Sequence, residues 1–417
     1  MNNTLPSLKV YFIGIGGVGM NALAQLAKLN GYDVSGSDRS FNPDISPFKE
    51  LIKNNIIITP QDGSNISDKL DYVVYSTAIE NNNPDLEKSF KIGLKCIHRS
   101  KFLKKLIPKN AELIAITGTA GKTTTTGLIG WIFECAGLNP TVYNGASVLN
   151  WKTHKEYGNI RNGDKNLWII EADESDKSLL QFNPTHTILT NIGNDHLPIN
   201  ELRRIFKLFK NKTSGTFQEE ISPSIKSMVF ESNLIGNHNS ENIKSAYQFC
   251  LNYGINKKII LNALKTFKGI EKRIELIGKY KGIHLYDDYA HNAMKIKATL
   301  NTFKNHKYNV YAFWRPHGFS SFNKNYEDLL KIFSDFLKNE KYSIILLPVY
   351  YAGGTKNIKK TSEEMYNKLN KNYDNFFYVP SYIELKKLIL KKCKKNDVLI
   401  GMGARDPEIS SFIRNLI

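Results

Sequence analysis

The chain has 417 residues, of which 57 are basic and 39 acidic, giving a formal charge of +18 with 41% hydrophobic residues. This is a globular composition with material for roughly two to four domains, and it holds no apolar run long enough to span a bilayer. The lysines are spread along the whole chain and carry no block interleaved with aromatics, which speaks against a nucleic-acid binder and suits anionic small substrates better.

The opening residues, MNNTLPSLKV, lack the basic-then-apolar layout of a signal peptide. Cys96, Cys135, Cys250 and Cys393 stand far apart with no CxxC pair, as expected of free thiols in a reducing cytoplasm. Apolar, strand-like runs then alternate with helical spacing throughout, which predicts α/β layers with mostly parallel sheets.

In the first segment a strand at Val10–Ile13 runs into Gly14, Gly16 and Gly19, then a helix, then a second strand ending at Asp38. This is a GxGxxG turn in strand-to-helix context with an acid about twenty residues on. Its glycines let backbone approach a diphosphate, and the helix start supplies N–H groups. The turn alone leaves open whether that diphosphate belongs to NAD or to another nucleotide. YVVYSTAIE (72–80) reads as a later strand with Ser76 at its carboxyl end, and IHRSKFL (97–103) leads out of the segment.

The second segment opens with the strand ELIAIT, the loop Gly118-Thr119-Ala120-Gly121, and a helix that starts at Lys122, Thr123 and Thr124. Loop N–H groups can wrap β- and γ-phosphates, Lys122 can neutralise the γ end, and Thr123 is placed for magnesium. Ile116 stands where the longer triphosphate pattern has its first glycine. LWIIEADESD (167–176) and HTILTNIGNDH (186–196) are two further strands ending in ligand types. Magnesium takes oxygen donors, so Glu171 is a candidate partner, and His196 closes the third strand. The stretch 207–232 is poorly patterned and predicts a loop, an irregular connection or an edge hairpin. A helix over 239–254 follows, with Asn239 and Asn242 at its start, suited either to capping or to reading an adenine edge. The third segment, from about Gly269, has strands in GIHLYDDYAH, YNVYAFWRPH, YSIILLPVYY and DVLIGMGARD, each ending in a polar or glycine cluster. In open parallel sheets those ends hold ligands.

GIGGVGM (14–20), TGTAGKTTTT (117–126), EADESD with TNIGNDH, NLIGNHNSEN and DDYAH together resemble the Mur ligase family, in the family's order and over nearly the whole chain. The resemblance accounts for Ile116, because that family uses a shortened phosphate loop. It implies three α/β domains: a Rossmann-like UDP-sugar domain over 1–108, a central P-loop ATPase over 109–268, and a Rossmann-like C-terminal domain over 269–417. Gly14, Gly16, Gly17, Gly19, Met20, Asp38 and Ser76 would then hold the UDP-sugar.

Residues 118–124 with Asn239, Asn242, Arg273, Asp288 and His291 would hold ATP. Lys122, Glu171 and His196 would be catalytic, with Thr123 and Glu171 serving one magnesium and His196 a second. The implied reaction is ATP-dependent amide formation between the carboxylate of UDP-N-acetylmuramate and an amine, L-alanine foremost, through an acyl phosphate in peptidoglycan synthesis. A peptide or another amine as acceptor, and a non-catalytic member of the family, are the alternatives.

The chain departs from the family where a PHRYTR-like run reads Pro316-His317-Gly318-Phe319-Ser320-Ser321. The two arginines that lie near the incoming amino acid's carboxylate are absent, and Arg315 and Arg405 are the basic residues at nearby strand ends. DHLD has become Asp195-His196-Leu197-Pro198, and DDYAHHP has become DDYAHNA.

Overall fold

The computed structural model describes residues 7–193, 197–351 and 358–417, so His196 lies outside the described residues. These form two compact units, one taking in residues up to 233 with 239–270, the other 234–238 with 271–417.

The first unit holds two sheets. Strands β1 (Lys9–Ile13), β2 (Asp33–Ser37), β3 (Ile57–Thr59), β4 (Tyr72–Tyr75) and β5 (Cys96–His98) form an all-parallel sheet in the order β3-β2-β1-β4-β5. Val10 to Ile13 are fully covered, the continuous apolar run that a parallel strand buried on both faces requires. Strand order reverses at β1, which opens a crevice beyond its carboxyl end, where the glycine turn sits.

The second sheet is built from β6 (Glu112–Thr117), β7 (Pro140–Tyr143), β8 (Ile160–Arg161), β9 (Asp164–Glu171), β10 (His186–Leu189) and β11 (Phe217–Gln218), in the order β11-β10-β6-β9-β7-β8. Only the β7–β8 pair is antiparallel. The stretch 207–232 thus supplies a short parallel edge strand, β11, and no hairpin.

The two sheets share one apolar core, which runs from Val10 and Phe12 through Phe102 to Trp168 and Phe206. A buried amide cluster joins them as well. Asn159, which is fully covered, donates through Nδ2 to the Val18 carbonyl at 3.0 Å and to Asn21 Oδ1 at 2.6 Å, and accepts from Gln25 at 3.2 Å. Asn159→Ala strands these partners and should cost about 2–3 kcal/mol. A clear drop in the urea midpoint checks this; an unmoved midpoint would show the cluster to be dispensable.

The second unit contains β12 (Glu275–Tyr280), β13 (Ile283–Asp288), β14 (Val310–Trp314), β15 (Tyr342–Leu346), β16 (Phe376–Tyr378) and β17 (Val398–Met402), ordered β12-β13-β17-β14-β15-β16. Apart from the antiparallel β12–β13 hairpin the pairs are parallel. No helix among the described residues is long and apolar enough to cross a membrane.

Candidate active site

β6 feeds the phosphate loop, and the helix Lys122–Cys135 leaves it. Gly118 and Gly121 have φ of +127° and +85°, in the left-handed region that L side chains avoid. Space excludes a side chain at both positions too: a Cβ on Gly118 would collide with Thr190, and one on Gly121 with the Asn242 amide.

The strand leaving β10 braces the loop. Thr119 N donates to the Asn191 carbonyl at 3.1 Å, and Ala120 N to Asn191 Oδ1 at 3.0 Å. Asn191 Nδ2 and Thr190 Oγ1 donate back to the Ala120 carbonyl at 2.8 and 2.6 Å. Gly193 N closes the set on Thr119 Oγ1 at 3.0 Å. These bonds fix the shape of the loop.

Around this loop the acidic run divides its labour. Thr123 Oγ1 donates to Glu171 Oε1 at 3.0 Å, and Gly145 N to Glu171 Oε2 at 2.8 Å. Lys122 Nζ donates to the Gly118 carbonyl at 2.7 Å and pairs with the buried Glu174 at 2.8 Å. Burial pushes the Glu174 carboxyl up, and Lys122 pulls it back only in part. Asp173 and Asp176 both accept from Arg99 Nη2, at 3.0 and 3.1 Å. Burial works against the Arg99 charge, but Tyr143, Asp173 and Asp176 outweigh it and hold the guanidinium above arginine's ordinary value.

Arg99 and Tyr143 were missed by the sequence reading. Arg99 lies against Gly19, and Tyr143 Oη donates to the Gly19 carbonyl at 2.9 Å. The first glycine turn and the acidic loop are thus bridged by one arginine. The available signal was the excess of carboxylates in EADESD over any one metal's needs.

In the first glycine turn, Gly14 has φ +74°, and its N–H reaches the Ser37 carbonyl at 2.8 Å. Gly16 N donates to Asp38 Oδ2 at 2.9 Å, while Ser40 donates to Asp38 Oδ1 from its backbone and hydroxyl at 2.9 and 2.7 Å. Asp38 therefore shapes the turn itself. A Cβ on Gly17 would meet only ordinary contacts, the nearest being the Gly14 carbonyl oxygen at 3.4 Å. Met20 is 3% exposed and packs in the core, so only its backbone can face a ligand. Ser76 Oγ is half-buried just past β4 and accepts weakly from Ala78 N at 3.4 Å.

Asn239 and Asn242 do not cap a helix. The helix runs Asn237–Asn252, so both lie inside it, buried, with Asn242 Nδ2 donating to Asn239 Oδ1 at 3.3 Å. Asn242 lies directly against Gly121, which puts an amide beside the phosphate loop. Thr124, in the helix's first turn, is buried.

Within the second unit, Asp288 ends β13 with its carboxylate committed. It accepts from Ile274 N at 2.7 Å, Ala290 N at 2.8 Å and Thr299 Oγ1 at 2.9 Å, which makes it a brace for the surrounding turns. Arg273 lies over the Tyr289 ring at 5.4 Å, and His291 Nδ1 bonds the Tyr289 carbonyl at 2.9 Å.

Burial, then Lys295, pushes His291 from 6.5 down to about 4. An imidazole lowered in the folded state stays neutral while the unfolded chain protonates, so stability falls as pH drops from 6.5 toward 4. His238 and His317 are lowered by burial in the same direction. His291→Asn should therefore flatten, without abolishing, the fall in thermal midpoint between pH 7 and pH 5. An equally steep fall in the variant would remove His291 from this account.

Could these residues hold a magnesium ion? Thr123 and Glu171 present a hydroxyl and a carboxylate 3.0 Å apart beside the phosphate loop, the hard oxygen donors that ion takes. No group of three or more His, Cys, Asp or Glu gathers as a metal site among the described residues.

Comparison with known proteins closes the description. Three family models match in order: the Mur ligase family catalytic domain at residues 9–110, the Mur ligase middle domain at 116–214, and the Mur ligase glutamate ligase domain at 272–405. The UDP-N-acetylmuramate–L-alanine ligase of Caldicellulosiruptor bescii is 33% identical over 451 aligned positions, covering 95% of this chain and 96% of the relative. Among solved structures, the UDP-N-acetylmuramate-alanine ligase of Thermotoga maritima superposes with a TM-score of 0.80 at 23% identity, covering 98% of both chains. A murein peptide ligase from Psychrobacter arcticus gives 0.65 at 20% identity, covering 99% of this chain and 100% of that one. At such identities the two structures speak for the fold.

Proposed function

Because this chain belongs to the Mur ligase family, we propose that it is an ATP-dependent ligase that joins the carboxylate of UDP-N-acetylmuramate to an amino acid, L-alanine foremost, in peptidoglycan synthesis. The observation that carries the reading is the braced phosphate loop with Thr123 on Glu171 at 3.0 Å and Lys122 on Glu174 at 2.8 Å. The shared core and the Arg99 bridge add to it by joining that loop to a diphosphate-type glycine turn in one compact unit.

In this reading the backbone N–H groups at the loop's end and the helix start, 121–123, cradle the ATP phosphates, since those of Thr119 and Ala120 are spent on Asn191, and Lys122 exchanges Glu174 for the γ-phosphate. The sugar carboxylate then attacks that phosphorus, forming a P–O bond as the bond to ADP breaks. The amine next attacks the acyl carbon, and phosphate leaves as the amide forms. Attack of one anion on another requires neutralisation, which Lys122 supplies by position.

Magnesium, when bound by Thr123 and Glu171, would add Lewis-acid stabilisation of the phosphoryl oxygens. His196 is proposed to serve a second magnesium. We propose that Asn239 and Asn242 read adenine and that Arg273 and His291 serve the nucleotide, with Asp288 fixing the turns around them.

We take the domains as 1–108 for the UDP-sugar, 109–268 for ATP and 269–417 for the amine, acting in the cytoplasm, where ATP and soluble nucleotide sugars are available. The deciding experiment supplies ATP and UDP-N-acetylmuramate, screens amino acids and short peptides for stimulated phosphate release, and weighs the product. L-Alanine should stimulate best and add its mass less water. Stimulation only by a peptide would favour the peptide-ligase alternative, and no stimulation by any amine a non-catalytic role.

A further inference from the structure

Three parallel strands of the second unit end level with one another. Asp288 of β13 pairs in register with Met402 of β17, and Met402 with Trp314 of β14. Three positions past that row stand His291, Arg405 and His317. The two imidazoles, from the outer strands of the three, have ring centroids 5.5 Å apart.

Arg405 leaves the middle strand on a stiff loop. Gly403 N donates to the Asp288 carbonyl at 3.1 Å, and Asp406 Oδ1 caps the following helix by accepting from Glu408 N at 2.9 Å. Carboxyl ends of parallel strands are where such sheets bind small molecules, and here the three strand ends are followed by one arginine and two histidines, whose rings lie against each other.

The cations at this end are not equivalent. Arg315 is consumed: it donates to the buried Asp406 at 2.7 Å and to the Pro348 carbonyl at 3.3 Å, and Tyr382 completes the cluster on Asp406 at 2.6 Å. Arg273 is laid over Tyr289. Arg405 is exposed and makes no hydrogen bond or ion pair among the described residues. Burial, with Arg405 adding to it, keeps His317 neutral, so Arg405 carries the positive charge of the triplet.

We propose that Arg405, which follows the strand between those carrying His291 and His317, binds the α-carboxylate of the incoming amino acid and so sets acceptor specificity. The geometry excludes Arg315 from that task, because freeing it would leave Asp406 buried and unpaired. The inference rests on the ligase reading above. It favours a single amino acid over a peptide, whose carboxylates lie far from the reacting amine.

The test measures phosphate release at saturating ATP and UDP-N-acetylmuramate for wild type, Arg405→Ala and Arg405→Lys, with L-alanine and L-alaninamide as acceptors. Wild type should prefer L-alanine in kcat/KM by about 10- to 100-fold, the worth of one charge-assisted bond. Arg405→Ala should raise the KM for L-alanine by a similar factor and bring the two acceptors to parity, with kcat near wild type; Arg405→Lys should recover part of the preference. A preference retained in Arg405→Ala, or absent from wild type, overturns the proposal and leaves the ligase reading standing. Failure of wild type to turn over with any amino acid overturns the ligase reading, and the proposal with it.

Discussion

Lys122→Ala should lower ADP formation by about 10³-fold or more at saturating substrates. The expectation follows from what the ammonium touches. In the structure it holds the Gly118 carbonyl at 2.7 Å and Glu174 at 2.8 Å, both within its own loop and the acidic run. It is the cation at the helix start, where a γ-phosphate would arrive, and an alanine there offers nothing to the charge that builds in the transition state. The helix Lys122–Cys135 keeps its other positions from Thr123 to Ile129 buried, so the fold should survive with a loss of stability traceable to Glu174, which stays buried without its cation. Phosphate release and circular dichroism on the same sample separate the two effects. A folded Lys122→Ala protein with wild-type turnover would falsify the placement of the triphosphate at 118–123.

Glu171→Gln is the second large effect. The carboxylate accepts from Thr123 Oγ1 on one oxygen and from Gly145 N on the other, so its position is doubly fixed. Glutamine keeps the size and the acceptor for Thr123 but loses the charge, and its amide group faces the Gly145 N–H or the hydroxyl donor to donor. Magnesium should then be held about 10- to 100-fold more weakly, with kcat depressed even at excess magnesium. A titration of phosphate release against magnesium at fixed ATP reads both. If the magnesium dependence matched wild type, Glu171 would be a shaping residue like Asp38, and the metal would have to be held elsewhere.

These two predictions concern residues legible before any fold was known, and the reason is locality. A phosphate loop is a few consecutive residues whose backbone angles only glycine tolerates, at Gly118 and Gly121, between an apolar run and a helix. The first glycine turn is readable for the same cause, and so are the strands whose apolar runs are continuous, such as β6, β9 and β17. Weaker local signals failed. The hairpin strand β12, ELIGKY, bends at an irregularity between Leu276 and Gly278, and β16 has only three residues, too few for a pattern. The helix over Asn239 and Asn242 begins at Asn237, which removes capping, one of the two readings open for them, and buries both side chains.

The amino-acid sequence alone determined three α/β segments in order, the glycine loop between strand and helix at 118–121, and the strand ends that carry polar groups. Those follow from backbone preference and from apolar periodicity, which act over a few residues. Only tertiary structure decided which side chains those groups meet. Arg99 finds Asp173 and Asp176, 74 and 77 positions away, and Asn159 finds Val18 across 141. It also separated two arginines that look alike on paper: Arg315 bonds a carboxylate 91 positions on, while Arg405, next to that same Asp406, is left facing outward. An ion pair forms wherever the chain's packing brings opposite charges together, and no local pattern in the sequence encodes that distance.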